Sequence, residues 1–193
     1  SAAIERARHG DGQAFAVLFL DLDRFKLVND SMGHAAGDEL LVEVARRITM
    51  SVREEDVVSR LGGDEFALLV EYTDGVENVR DFAQRLLAVL GRPMWVAGRE
   101  LFPSASLGIA VWHPRYRNGE ELLRDADAAM YRAKEQGRDR CAMFDKAMRE
   151  AAMQSLDLEA DLRRAINHRD FLPFYQPIRR MDDSRVIGHA AQP

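Results

Sequence analysis

The run Arg60-Leu61-Gly62-Gly63-Asp64-Glu65-Phe66 constrains this chain more than any other stretch. Two glycines, the residue type that accepts positive φ without steric cost, separate the strand-like segments Asp56–Arg60 and Phe66–Tyr72. The pattern predicts a tight β-hairpin with Asp64 and Glu65 on its tip. Adjacent carboxylates repel, and each raises the other's pKa unless a cation is at hand. A turn built around such a pair is a candidate metal site.

The rest of the chain supplies a sandwich for that hairpin. Ala14–Leu20 is a continuous apolar run, read as a buried central strand, and it ends in Asp21-Leu22-Asp23. Gly37–Val52 places Leu40, Leu41, Val44, Ala45 and Ile48 at helical spacing. Val76–Leu90 is a second amphipathic helix, stopped by Gly91-Arg92-Pro93. Met94–Ala97 and Leu101–Trp112 are expected to form a strand pair around a turn at Gly98. Glu120–Gln136 is a helix closed by Gly137, and Cys141–Phe144 a short edge strand. Helices alternate with strands, but hairpins occur as well. The expected class is therefore an α/β (α+β) sandwich with a mixed or antiparallel sheet, not a doubly wound parallel one. Ser1–Arg8 is helix-like. Asp145–His168 is polar and helical, with Leu158, Leu162 and Ile166 on one stripe, and Phe171–Ile178 looks like a new strand. The division expected is a domain over 1–145, a linker helix over 146–170 and the start of another domain over 171–193.

Composition excludes several classes. Hydrophobic residues make up 47%, enough for a full core, and the formal net charge of −5 argues against broad binding to a nucleic-acid backbone. The single cysteine, Cys141, rules out a disulfide framework or a cysteine-based zinc site. The histidines show no metal-ligand spacing. No apolar run approaches a membrane span and no signal peptide is visible, so the expectation is a cytoplasmic segment with no membrane and no nucleic-acid partner.

Asp21 and Asp23 stand at a strand end, where period two puts both side chains on one face. Hard oxygen ligands there suit Mg²⁺ together with phosphate oxygens; equally, such an Asp can cap a following helix, here Arg24–Asp30. Taken with Asp64, Asp21 would bring two carboxylates to one edge of the sheet. The backbone N–H groups of Arg24 and Phe25, at a helix N-terminus, form a natural phosphate cradle.

These blocks in this order, Leu20-Asp21-Leu22-Asp23-Arg24-Phe25-Lys26, Asn29-Asp30, Gly33-His34, Gly37-Asp38-Glu39-Leu40-Leu41 and the Gly62–Phe66 turn, resemble the GGDEF family of diguanylate cyclases over roughly residues 12–144. The resemblance implies a nucleotidyl-cyclase or palm-like fold, a largely antiparallel sheet of about five strands wrapped by helices. It implies that Asp21, Asp64 and the Leu22 carbonyl bind metal, Mg²⁺ or Mn²⁺, and that Asn29 and Asp38 read guanine. A carboxylate accepts from guanine N1–H and N2–H, a pattern adenine lacks. Asn29 could equally cap a helix end and Asp38 a helix start. Lys26 matches a lysine near the reacting phosphate. Lys134 and Arg138 match phosphate-binding residues, although cations at a helix C-terminus also favour its dipole. Glu65 matches the second acidic position, either a metal ligand or an aid to deprotonating the attacking 3′-hydroxyl. Arg53 and Asp56 read as a surface ion pair worth about 0.2–0.5 kcal/mol. They also stand at the offset of the family's RxxD site, where cyclic di-GMP inhibits turnover.

The implied activity is condensation of two GTP into cyclic di-GMP and two pyrophosphates by two-metal catalysis across a homodimer, in bacterial second-messenger signalling. The alternative is a catalytically weak domain that binds GTP or cyclic di-GMP and regulates an adjacent phosphodiesterase. Leu158–Arg163 through Phe174–Ile178 resembles the opening of such an EAL phosphodiesterase domain. After Gly188, Ala190-Ala191-Gln192 occupies the register where that family carries Glu-Ala-Leu, so phosphodiesterase activity is not expected of this chain.

Overall fold

Strand β1 (Ala14–Leu22) is buried on both sides and organises the unit it belongs to, Ser1–Glu150. In the computed structural model, which describes residues 14–72, 75–146, 161–166, 174–182 and 185–192, β1 is followed by helices α1 (Phe25–Met32) and α2 (His34–Ser51). The hairpin β2 (Val57–Gly62) and β3 (Glu65–Tyr72) comes next, then α3 (Val76–Leu90) and the small hairpin β4 (Met94–Val96) and β5 (Arg99–Leu101). The first unit closes with β6 (Ala105–Val111), α4 (Gly119–Glu135) and β7 (Arg140–Met143). The main sheet has five strands in the order β2-β3-β1-β6-β7. All neighbours are antiparallel except β6 and β7. The expected mixed, largely antiparallel sandwich is the fold observed.

Side-chain alternation along β1 builds two cores. Ala16, Leu18, Leu20 and Leu22 face a cluster with Leu40, Val44 and Ile48 of α2 and Val79, Ala83 and Leu86 of α3. Phe15 and Phe19 face the other way, onto Tyr116 and onto Leu122, Ala126 and Met130 of α4. At β6 the sheet and α4 approach so closely that a Cβ at Gly108 would stand 1.9 Å from the Ala126 carbonyl oxygen and 2.2 Å from the Met130 nitrogen. Glycine there sets the height of α4 over the sheet.

Several boundaries differ from the sequence reading. The strand pair around Gly98 is only three residues a side. Ala97 and Gly98 both have positive φ, 47° and 74°, as a two-residue type I′ turn requires. The run expected as Leu101–Trp112 is two strands, broken at Phe102–Ser104. Pro103 has no N–H to give a ladder, and Ala105–Val111 leaves the hairpin to pair with β1. Helix α2 begins at His34, three residues before the expected Gly37, behind Gly33. Helix α3 has the expected bounds. β7 is an edge strand, as expected, starting one residue earlier. Arg47 of α2 ties the two helices of the larger core together. Its guanidinium donates to the carbonyls of Val89, Leu90, Arg92 and Pro93 at 2.6–3.1 Å, capping α3.

Ala151–Pro193 forms a second compact unit. Its residues 161–166 are helical, and β8 (Phe174–Arg179) pairs with β9 (Val186–Gln192) in an antiparallel hairpin. The expected helix over Ser1–Arg8, most of the helix over Asp145–His168, and the first residues of the strand at Phe171 lie outside the described residues. Among the described residues no helix is long and apolar enough to cross a membrane.

Candidate active site

Strand register brings the first carboxylates together. Asp21 lies opposite Glu65 of β3 and opposite Ser106 of β6. Its odd position on β1 points it to the α4 side, where it is only 8% exposed. Lys134, near the end of α4, places Nζ 2.8 Å from Asp21 Oδ1. Burial pushes the Asp21 carboxyl above its ordinary range. The Lys134 hydrogen bond and charge oppose this, while Asp64 and Asp23 add to it. Glu65 is raised as well, by burial first and then by Asp21, Asp127 and Asp64.

The glycine turn is held from both sides. The Leu22 N–H donates to the Asp64 carbonyl at 3.3 Å, and Arg60 forks onto the Gly63 carbonyl through Nε at 2.9 Å and Nη2 at 2.7 Å. Gly63 takes φ +52°. Asp21 and Asp64 are expected at one edge of the sheet. Asp64, at the turn, stands near enough to help raise Asp21, and the direct cross-strand partner of Asp21 is Glu65. Asp127 of α4 was missed. It lies seven residues before Lys134, on the same face of the helix, and that spacing was the available signal.

Asp23 is not a side-chain helix cap. The N-cap of α1 is Arg24, in the left-handed conformation, with no side-chain cap bond. The Asp23 carboxylate instead accepts from Ser104 Oγ and Ser106 Oγ, both at 2.8 Å, and from the Asp139 N–H at 3.1 Å. Beyond the strand end its side chain reaches across to β6 and to the turn after α4.

Arg24 and Phe25 open α1, so their N–H groups stand at its N-terminus, and Lys26 is exposed on its first turn. A groove of about 390 Å³ beside them is lined by Arg24, Phe25, Leu27, Phe102 and Arg138, among others. Arg138 is half-exposed, with Nε 4.0 Å from Asp23 Oδ1. Asn29 lies within α1, where its carbonyl accepts from the Gly33 N–H at 2.9 Å; it is not a C-cap. Its side chain lies over Gly37, where a Cβ would meet Oδ1 at 2.0 Å. Asp38 is exposed on α2 immediately after that glycine, and it is not an N-cap either, since Gly33 holds that position. The helix pair thus sets the Asn29 amide beside the residue that precedes Asp38.

Arg53 and Asp56 are linked through the backbone. Asp56 Oδ2 accepts from the Arg53 N–H at 2.9 Å and Oδ1 from the Glu71 N–H at 3.2 Å. The Arg53 guanidinium is 71% exposed and lies 4.0 Å from Glu55 instead, so the expected ion pair with Asp56 is replaced by a loop clamp. A cavity of about 300 Å³ there is lined by Arg53, Asp56, Glu71, Tyr72, Asn78 and Arg85, with others. Arg85, far off in sequence, carried no signal of its own.

The donor chemistry suits a hard divalent cation. Two acids held above their ordinary range by burial first and then by neighbouring carboxylates are relieved by positive charge. Among the described residues, no three His, Cys, Asp or Glu side chains converge into a ligand set on their own. A bound Mg²⁺ would therefore draw further oxygens from backbone, phosphate or water, its usual habit.

The family description "Diguanylate cyclase, GGDEF domain" matches residues 1–140. The chain belongs to the GGDEF family. It is 44% identical over 186 residues to the bifunctional diguanylate cyclase/cyclic di-GMP phosphodiesterase MucR of Pseudomonas aeruginosa, covering 96% of this chain and 27% of that protein. It is 38% identical over 175 residues to the cyclic di-GMP phosphodiesterase NbdA of the same species, covering 91% of this chain and 22% of that one. The chain thus spans about a quarter of the length of these relatives. Among solved structures, the GGDEF domain of Pseudomonas aeruginosa TpbB superposes with a TM-score of 0.75 at 38% identity, over 79% of this chain and 89% of that one. The GGDEF domain of Caulobacter crescentus DgcB, solved with cyclic di-GMP, gives 0.67 at 27% identity, over 74% and 83%. The relatives therefore include one named for phosphodiesterase activity and one named for both synthesis and phosphodiesterase activity.

Proposed function

We propose that this GGDEF domain is an active diguanylate cyclase, condensing two GTP into cyclic di-GMP and two pyrophosphates. The observation that carries this reading is the meeting of Asp21, Glu65 and Lys134 at one end of the sheet, beside the N-terminus of α1. In each half-reaction the 3′-oxygen of one GTP attacks the α-phosphorus of the other, and the bond to pyrophosphate breaks. Asn29 and Asp38 hold guanine, and the Arg24 and Phe25 amides, Lys26 and Arg138 hold the phosphates. Lys134 keeps positive charge where negative charge builds. Asp21, the Leu22 carbonyl and Asp64 would hold Mg²⁺ or Mn²⁺, with Glu65 as a further ligand or as acceptor of the 3′-hydroxyl proton. Bound there, the metal would offset triphosphate charge and lower the pKa of the attacking oxygen. One domain holds one GTP, so two copies face each other as a homodimer, at least transiently. Arg53 and Asp56 bind the product and lower turnover.

The second reading is a GGDEF domain that binds GTP or cyclic di-GMP and regulates a neighbouring phosphodiesterase; the name of NbdA favours it. Incubating the chain at high concentration with GTP and Mg²⁺, with chromatography for cyclic di-GMP, separates the two. Product is the expected result. GTP bound but unchanged would favour the regulatory reading.

A further inference from the structure

Asp23 has an environment that the proposed chemistry does not use. Its side chain is 2% exposed, and its carboxylate gathers donors from separate segments. Ser104 Oγ and the Asp139 N–H share Oδ2, at 2.8 and 3.1 Å, and Ser106 Oγ takes Oδ1 at 2.8 Å. Its own N–H donates to the Ser104 carbonyl at 2.9 Å. A carboxylate this enclosed persists only when its oxygens are satisfied, and here β6 and the turn after α4 satisfy them.

The backbone around this anchor is strained. Arg24, the next residue, has φ +60°, and Arg138 and Asp139 have φ +65° and +48°. Left-handed conformations of non-glycine residues persist only where their surroundings hold them. Asp139 is held directly by Asp23. Arg138 is held by its N–H to the Ala133 carbonyl at 3.1 Å and by Arg140 Nε on its own carbonyl at 3.1 Å. Arg24 begins the turn that aims the α1 amides, and both Arg24 and Arg138 line the same groove.

We infer that Asp23 is a positioning residue, a buried anchor that fixes the α1 N-terminal turn and the Gly137–Arg140 turn against β6, and so presets the phosphate-binding segments before a nucleotide arrives. The inference rests on the reading that those segments hold phosphate. It predicts a specific pattern of loss. Binding through phosphate weakens when Asp23 is cut back, and binding through guanine does not, because Asn29 and Asp38 are set by the contact of α1 with Gly37 of α2.

The test is an NMR titration of the full chain with inorganic tripolyphosphate, GTP and guanosine in turn, with thermal unfolding to confirm the fold. Asp23→Ala is expected to weaken tripolyphosphate and GTP on the order of ten- to a hundredfold, since small displacements of a binding group are costly, and to leave guanosine unchanged. Asp23→Asn is expected to recover most of that loss. Its carbonyl oxygen can still accept from Ser104 and Asp139, and its amide can donate to Ser106. A folded Asp23→Ala chain that binds tripolyphosphate like the wild type would overturn the inference, as would an equal loss for guanosine. If Asp23→Ala does not fold, Ser104→Ala decides: weaker tripolyphosphate with unchanged guanosine supports the anchor, and unchanged tripolyphosphate overturns it. A wild-type chain that takes guanosine but not tripolyphosphate would overturn the phosphate-site reading beneath it, and the anchor with it.

Discussion

Lys134 Nζ lies 2.8 Å from Asp21 Oδ1, bridging the end of α4 to the end of the central strand. The bond neutralises a carboxylate that burial would otherwise leave strongly disfavoured as an anion. Under the proposed chemistry the same ammonium faces the charge that develops on phosphate. Lys134→Met is expected to lower the initial rate of cyclic di-GMP synthesis by about 10²–10³-fold, the usual cost of removing one fixed electrostatic donor. Initial rates, compared with circular dichroism spectra, check this. A rate within threefold of wild type would remove Lys134 from the active site.

Gly37→Ala should alter guanine reading without unfolding the domain. The added Cβ would meet Asn29 Oδ1 at 2.0 Å, and the far end of a side chain can swing away. GTP affinity is expected to fall about tenfold, the worth of one good hydrogen bond, and the preference over ATP to narrow. Calorimetric titration with both nucleotides measures it.

Gly108→Ala should do the reverse. There the new Cβ meets backbone of α4, 1.9 Å from the Ala126 oxygen and 2.2 Å from the Met130 nitrogen. Backbone does not swing aside, so helix and sheet must separate. The expected loss is about 3 kcal/mol or more, in the range of severe overpacking, read from urea unfolding of the purified variant.

Arg47→Ala is expected to cost about 2–4 kcal/mol, because it strips charged hydrogen bonds from the last carbonyls of α3, at Val89 and Leu90, and from those of Arg92 and Pro93 just beyond it. Its neighbour Glu43 gives a pH signature. Hydrogen bonding, chiefly to Arg46 and then to Arg47, holds the Glu43 carboxyl down at about 2. A depressed acid stabilises the fold above its unfolded pKa of 4.5, and that contribution fades as pH falls toward about 2. Glu43→Gln should therefore flatten this part of the acid limb of the stability curve. An unchanged limb in denaturant titrations between those pH values would contradict the assignment.

Arg53→Ala should relieve product inhibition while leaving the rate at low product unchanged. The Arg53 guanidinium is exposed at the rim of its cavity, 4.0 Å from Glu55, and neither Asp21 nor Lys134 lines that cavity. Progress curves with and without added cyclic di-GMP test it; equal inhibition of both chains would rule out the site.

Much of the fold was legible because local signals agreed with their surroundings. Helix Val76–Leu90 has a clean apolar stripe and a Gly-Arg-Pro stop, and it appeared with its bounds intact. The glycine hairpin was plain as well, but its turn is Gly63-Asp64. Only Gly63, at φ +52°, needs glycine's freedom. Gly62 ends β2, and Glu65, expected on the tip, opens β3. The misread Leu101–Trp112 run shows the limit. Apolar continuity cannot say where a chain leaves one hairpin for another sheet, and here the choice was made by pairing with β1.

The site divides along the same line. The residue types, the carboxylate-bearing turn and the family they mark were determined by the sequence alone, because each depends on neighbours in the chain. That Glu65 is the direct cross-strand partner of Asp21 depended on strand register. That Asp23 is an anchor depended on Ser104 and Asp139, 81 and 116 residues away. That Lys134 closes on Asp21 depended on the height of α4 above Gly108. These are long-range placements, and only burial of the two cores on either side of β1 brings such distant groups within hydrogen-bond reach.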